Sequence, residues 1–219
     1  MLSILIPVYN ASKYLNELVE RLGATLSALP YELILIDDNS QDDSWELITK
    51  AAAKNQHIRP YKNEKNLGQH PTIFKGLALA KGERVVVMDC DLHDVPEEIL
   101  KLDAAFVGDV EIVLAARNRK RDRTRAWMSK LFYGAVQLVG KNHSSAVGNY
   151  GMYSRRVVHE VLEKKTIDFF PFRVASIVAE RRRVEVETGE NPASTYSGLA
   201  RLKLAMKIYR QTIVSRFAA

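Results

Sequence analysis

The sequence predicts an α/β fold in which a mostly parallel sheet carries helices on both faces. Short apolar runs of strand length alternate with amphipathic segments of helix length. Strands joined through helices pair in parallel by right-handed crossovers. Three of the apolar runs also end in acids or polar residues, where ligands bind at the carboxyl ends of such strands.

The elements follow in order. Residues 2–8, LSILIPV, form a strand, and SKYLNELVERLGATLSAL (12–29) is a helix with Leu15, Leu18, Val19 and Leu22 as its apolar face. YELILID (31–37) is a second strand, and the polar loop DNSQDDS leads into a helix from Trp45 to Lys54. IRPYKN (58–63) is a weaker strand, and Thr72 to Ala80 is a helix ended by Lys81-Gly82. A buried strand spans 84–89, and Pro96-Glu97-Glu98 opens another helix. The organisation expected is one domain over 1–196 and a basic amphipathic helix over 197–219.

At 219 residues and 47% hydrophobic, the chain buries a sizeable core. No window holds the eighteen or so apolar residues of a spanning helix, and the N-terminus lacks a signal peptide's charged region and cleavage site. A cytoplasmic protein is expected. Cys90, the one cysteine, forms neither an internal disulfide nor a multi-thiolate zinc site. The net charge is +6 and the isoelectric point about 9.3, with the bases concentrated in RNRKRDRTR (117–125) and in the acid-free stretch after Glu190. Such a surface attracts phosphates, although a solvated charged face explains the run at 119–123 equally.

Tyr9-Asn10, Asp37-Asp38-Asn39 and Asp89 to Asp94 follow strands and are expected to converge. No Walker A or G-x-G-x-x-G sequence is present, so phosphates need another means of neutralisation. On an extended chain Asp89 and Asp91 face one side and Cys90 the other. Two such oxygen donors suit Mg2+ or Mn2+, which takes its remaining ligands from water and substrate phosphates and acts as a Lewis acid on a departing diphosphate. His93 is a third ligand or a phosphate contact. Helix capping, as for Asp94 ahead of Pro96, and surface duty for His93 are the plainer alternatives.

SILIPVYNASKYL, ELILIDDNSQDDSWELI, NLGQHPTIFKGLALAKGERVVVMDCDLHDVPEEI and ASTYSGLARLKLA occur in the order found in family 2 glycosyltransferases of the GT-A fold. The chain resembles that family over about residues 2–215. More narrowly it resembles the branch containing dolichyl-phosphate mannose synthase and bacterial polyprenyl-phosphate sugar transferases. The resemblance implies a Rossmann-like GT-A sheet and inverting transfer from a nucleotide diphosphate-sugar. It implies donor binding by Pro7, Tyr9, Asn10, Asp38, Gln69 and Asp89, with Ser194 and Tyr196 closing over the donor. It implies a divalent cation on Asp89 and Asp91, with Asp91 catalytic and His93 standing where relatives often carry glutamine. Arg117 matches an arginine that binds phosphate near the acceptor. Ala11 replaces a glutamate usual after YN, and no arginine precedes the SxY segment, where Gly189 is displaced.

A hydroxyl acceptor needs a carboxylate base, for which Asp168 and Glu180 are the candidates in the second half of the chain. A lipid phosphate is already ionised near neutral pH, with a second pKa of about 6, and needs positive charge instead. Arg117 and Arg119 supply it. The C-terminal stretch mixes Leu199, Leu202, Met206, Ile213 and Phe217 with Arg201, Lys203, Lys207, Arg210 and Arg216, the composition of an interfacial helix. Packing on the domain or on an oligomer partner explains the same pattern, as it does the aromatics Trp127, Phe132 and Tyr133. The expected partners are a nucleotide diphosphate-sugar, a polyprenyl phosphate and the cytoplasmic membrane face, with a homo-oligomer or a membrane-embedded partner left open. A nucleic-acid binder leaves the acid cluster without a purpose and lacks an aromatic-basic motif.

Overall fold

The computed structural model describes residues 1–117, 149–164 and 168–189. Its first half alternates strand and helix: β1 (Leu2–Val8), α1 (Ser12–Thr25), β2 (Tyr31–Asp37), α2 (Ser44–Lys54), β3 (Ile58–Lys62), α3 (Gln69–Leu79) and β4 (Arg84–Val87). A 3-10 turn at Pro96–Glu98, α4 (Ile99–Ala105) and β5 (Val110–Arg117) follow. Beyond residue 148 come β6 (Gly151–Ser154), α5 (Arg155–Glu163), α6 (Phe170–Ala175) and β7 (Glu180–Val186). The strands form one sheet in the order β3-β2-β1-β4-β6-β5-β7.

Within the described sheet β6 runs against both its neighbours, and every other pairing is parallel. β4 and β5 therefore point the same way, so β1, β2, β4, β5 and β7 all deliver their carboxyl ends to one end of the sheet. β1 and β2 are buried at all seven positions, as central strands covered on both faces must be. Leu2, Ile4, Ile6 and Val8 pack with Leu15, Leu18, Leu22, Ile48, Ile99 and Leu102 from α1, α2 and α4. Leu5 faces the other layer, with Ile73, Leu77, Val157, Val161 and Val174 from α3, α5 and α6. This is the GT-A arrangement, with helices on both faces as the sequence predicts.

Several boundaries differ from expectation for physical reasons. α1 stops at Thr25, because its last amides turn to shorter-range carbonyls, Ser27 to Ala24 and Leu29 to Leu26. α3 begins at Gln69, ahead of Thr72: Pro71 sits in the first turn, where a missing N–H costs nothing. β4 ends at Val87, opposite the first residue of β6; the Met88 amide still donates to the Leu5 carbonyl (3.2 Å), and residue 89 leaves the ladder. The expected helix over 197–219 lies outside the described residues.

The far end of the sheet is closed by Glu32. This buried carboxylate accepts from the Ser3 hydroxyl (2.6 Å), the Lys81 amide (2.5 Å) and the Arg59 guanidinium (2.5 Å). Burial alone would raise its pKa, but these donors outweigh burial and hold the carboxyl below the usual range. A group with a depressed folded pKa stabilises above its unfolded value, about 4.3, and loses that contribution as pH falls through the folded value. Glu32→Ala should lower unfolding free energy at pH 7 by about 3 kcal/mol, and the gap to wild type should narrow below about pH 4. Urea unfolding at the two pH values checks both.

Candidate active site

The near end of the sheet gathers the loops after β1, β2 and β4. The first two are stitched together: the Asn10 amide donates to Ser40 Oγ (3.0 Å), and Asn10 Oδ1 accepts from the Gln41 amide (2.8 Å). Asn10 and Asn39 take left-handed backbone angles, φ 50° and 59°, which asparagine tolerates. Asp42 accepts from the Ser12 amide and from both amide and hydroxyl of Ser44, while Ser44 Oγ accepts from the Ala11 amide. Burial works against the charged form of Asp42, but these bonds prevail and draw its pKa down to about 2. Its carboxylate is thus committed to holding the starts of α1 and α2 together. Tyr9 stands half-exposed beside these loops, and Pro7 is buried in β1.

The acid loop after β4 has its own supports. Asp89 Oδ1 accepts from Gln69 Nε2 (2.7 Å), which links it to the first residue of α3. The Asp89 amide donates to Asp94 Oδ2 (2.9 Å), and Asp91 Oδ1 accepts from the His93 amide (3.1 Å). Leu92 adopts φ 60°, so the chain curls between Asp91 and His93. The curl places His93 Nδ1 3.3 Å from the Gly189 carbonyl, while the Gly189 amide donates to the His93 carbonyl (3.2 Å). An Asp94–Thr188 bridge completes this clasp between the acid loop and the segment that follows β7.

Two expectations need correction. Asp89 and Asp91 do not sit on an extended strand, because the ladder ends at Val87 and the backbone bends from Cys90 onward. Asp94 does not cap the following turn but reaches back to the Asp89 amide. Among the described residues no preformed group of three metal ligands is found. The loop's curl turns His93 toward Gly189. Asp89 and Asp91 remain a pair of half-buried hard oxygen donors, which fits a cation that completes its shell from water and substrate phosphate rather than from protein. Burial pushes the Cys90 thiol up to about 12, so it stays protonated at neutral pH and is no nucleophile.

The profile of glycosyl transferase family 2 matches residues 3–162, from β1 through α5. The chain is a family 2 glycosyltransferase. It is 37% identical over 197 residues to the undecaprenyl-phosphate 4-deoxy-4-formamido-L-arabinose transferase of Aeromonas hydrophila, a match covering 86% of this chain and 59% of that protein. It therefore spans less than two thirds of that relative's length. Among solved structures it is similar to mannosyl-3-phosphoglycerate synthase from Rubrobacter xylanophilus, with a TM-score of 0.66 at 14% identity, over 97% of this chain and 72% of the other. A glucosyl-3-phosphoglycerate synthase from Mycobacterium tuberculosis, solved with Mn2+, uridine diphosphate and glucosyl-3-phosphoglycerate, gives a TM-score of 0.62 at 16% identity, over 99% and 79%. At these identities the likeness establishes the fold.

In this family 2 glycosyltransferase the remaining candidates fall in different places. Arg117 is the last residue of β5, at the same end as the acids. Glu180 opens β7 opposite Val110, at the far end of the sheet, and is remote from the acids. Asp168 lies near the start of α3, since the neighbouring Phe169 ring packs on His70 with centroids 4.2 Å apart. Its carboxylate is 3.6 Å from Arg173. Arg119, Ser194 and Tyr196 lie outside the described residues. Asn63, whose Nδ2 donates to Asp38 Oδ1 (2.7 Å), and Gly189 support the site without having been predicted for it. Gly189 gave no sequence signal, because what it needs is space beside a loop a hundred residues away.

Proposed function

We propose that the chain catalyses inverting transfer of a sugar from a nucleotide diphosphate-sugar to a polyprenyl phosphate at the cytoplasmic face of a membrane. One topological observation carries the reading. β5 ends and β6 begins at the acid end of the sheet, where Gly189 is held as well. The stretches adjoining those points in sequence, 118–148 and 190–219, hold the chain's concentrated basic residues, and the second mixes them with apolar ones. An anionic lipid acceptor calls for that combination. The activity of the Aeromonas relative supports the same acceptor class. Among the described residues no helix is long and apolar enough to cross a membrane.

In this reading a phosphate oxygen of the lipid attacks the anomeric carbon, the bond to the nucleoside diphosphate breaks, and that diphosphate leaves with the electron pair. Asp89 and Asp91 would hold a divalent cation, Mg2+ or Mn2+, with His93 beside them; the cation would neutralise charge growing on the diphosphate. Gln69 orients Asp89, and the Gly189 clasp fixes the loop that bears Asp91. Arg117 and Arg119 would hold the acceptor phosphate. Tyr9, Pro7 and Asn10 would flank the nucleoside, with Ser194 and Tyr196 over the donor.

A second reading keeps the donor side and replaces the acceptor with a hydroxyl of a growing glycan. It is favoured by the placement of Asp168 near α3, where a base could act. The two are separated by incubating the protein with Mg2+ or Mn2+, each common nucleotide sugar, and a short polyprenyl phosphate or no acceptor. Lipid-dependent release of nucleoside diphosphate with formation of a lipid-linked sugar is the expected result. Release indifferent to the lipid would reject the phosphate acceptor.

A further inference from the structure

The acid loop starts where β4 runs out of neighbours. On one side β6 begins at Gly151, opposite Val87, so its ladder has no carbonyl for the Asp89 amide. Were that register to run on, Asn149 would stand opposite Asp89, but the Asn149 carbonyl accepts from the Tyr153 hydroxyl (3.3 Å). A backbone amide shielded from water needs an acceptor. Asp94 supplies it: its Oδ2 lies 2.9 Å from the Asp89 nitrogen, reached from five residues further along the chain. A side chain thus takes the place of the missing strand.

This contact closes residues 89–94 into a loop with Asp91 inside its span. Asp94 is well placed to hold it. Its carboxylate is almost fully buried, at 1% exposure for the residue, and its backbone is bridged to Thr188. The next carbonyl, that of Val95, accepts from the hydroxyl of the buried Tyr150 (3.0 Å). Within the loop Leu92 belongs to the core layer under α1, α2 and α4. Asp94 is therefore a fixed post, and Asp89 is tied to it by its amide while Gln69 Nε2 holds its Oδ1 (2.7 Å). The tie to Asp94 fixes the backbone from which the Asp89 carboxylate projects.

We propose that Asp94 is a positioning residue: by accepting the Asp89 amide it closes the acid loop and holds Asp89 ready for a cation, acting as a hydrogen-bond acceptor and not as a ligand or a charge. The inference rests on the reading above that Asp89 meets a cation and a diphosphate. Two consequences follow from the geometry. Loss of the acceptor weakens cation binding, and enough cation restores it. An uncharged side chain that still presents an oxygen to the Asp89 amide does the same work, because an amide asks only for an acceptor.

The test is calorimetric, on the full chain, with the diphosphates of uridine, guanosine and thymidine titrated at a series of Mn2+ concentrations and the tightest binder kept as probe. Asp94→Ala should raise the Mn2+ concentration needed for half-maximal diphosphate binding by roughly 10–100-fold, the range found when a group that holds a metal ligand is removed. At saturating Mn2+ it should bind the diphosphate with wild-type stoichiometry. Asp94→Asn should stay within about threefold of wild type, the loss of charge assistance to one hydrogen bond. An unaltered Mn2+ response in Asp94→Ala would overturn the proposal. So would Asp94→Asn as poor as Asp94→Ala, since the charge would then be what matters, and so would a folded Asp94→Ala that saturating Mn2+ does not restore, since Asp94 would then be a structural acid. All three leave the donor reading in place, whereas wild type that binds no diphosphate with Mn2+ would overturn both. If Asp94→Ala fails to fold, Asp94→Ser replaces it: its hydroxyl stops short of the Asp89 amide, and the same outcomes decide.

Discussion

Replacing Asp91 with alanine is expected to lower the rate of sugar transfer by about three orders of magnitude, roughly 4 kcal/mol of transition-state stabilisation, while leaving the melting temperature near that of wild type. The separation follows from where the residue sits. Asp91 is half-buried on a loop outside the ladder, whereas the Asp42 carboxylate ties the starts of two helices together. Losing it removes the contact to the His93 amide and the charge offered to the donor. Steady-state kinetics and thermal unfolding on the same preparation decide the matter. Transfer within tenfold of wild type would remove Asp91 from the mechanism, and a collapsed melting temperature would make it a structural acid.

Gly189→Ala should be nearly as damaging, for a different reason. A methyl group there would lie 2.0 Å from the Leu92 carbonyl oxygen and 3.1 Å from its carbon, and both are backbone atoms that no rotamer change can move. The acid loop and the strand-end segment must part, breaking the reciprocal Gly189–His93 contacts and the Asp94–Thr188 bridge. A displacement of this size beside reacting groups costs about 100-fold in kcat/KM. The same substitution at Gly68 meets nothing within 4 Å and costs only what its backbone angle demands. Activity of Gly189→Ala within a fewfold of wild type would mean that the clasp does not position the acids.

Why some elements were legible and others hidden is visible in their surroundings. β1, β2 and β4 lie in the middle of the sheet, buried on both faces, and read as unbroken apolar runs. β7, ERRRVEV, is an edge strand buried only at Val186 and carrying three adjacent arginines, so its composition hides it. One of these, Arg181, donates to the Val174 carbonyl (3.0 Å) and tucks beneath α6, which no periodicity foretells. β6 has four residues and α6 has six with a proline at its start, both below the length at which a pattern declares itself. The direction of β6 is likewise absent from its sequence.

The acids of the site were visible because carboxylates after apolar strands are conspicuous. Their division of labour was not. Asp42 and Asp94 serve the backbone, and nothing in DNSQDDS or DCDLHD separates them from their neighbours. The hydrogen bonds that assign those duties come from Ser12, Ser44 and the Asp89 amide, and they exist only once the loops have met.

In the proposed reaction the reversed strand between β4 and β5 would set how far apart two negatively charged reactants are held. Neighbouring strands lie about 4.8 Å apart, so the carboxyl ends of β4 and β5 are separated by about 10 Å, with β6 between them. β6 starts there with Gly151, paired with Val87 on one side and Leu114 on the other. For the proposed reaction, a sugar resting over the start of β6 would have its leaving diphosphate toward Asp89 and Asp91 and its incoming phosphate toward Arg117. Attack from the side opposite departure, the stereochemical requirement of inversion, would then be a matter of strand order: two anions that repel each other would be kept a full strand's width apart until the carbon between them changes hands.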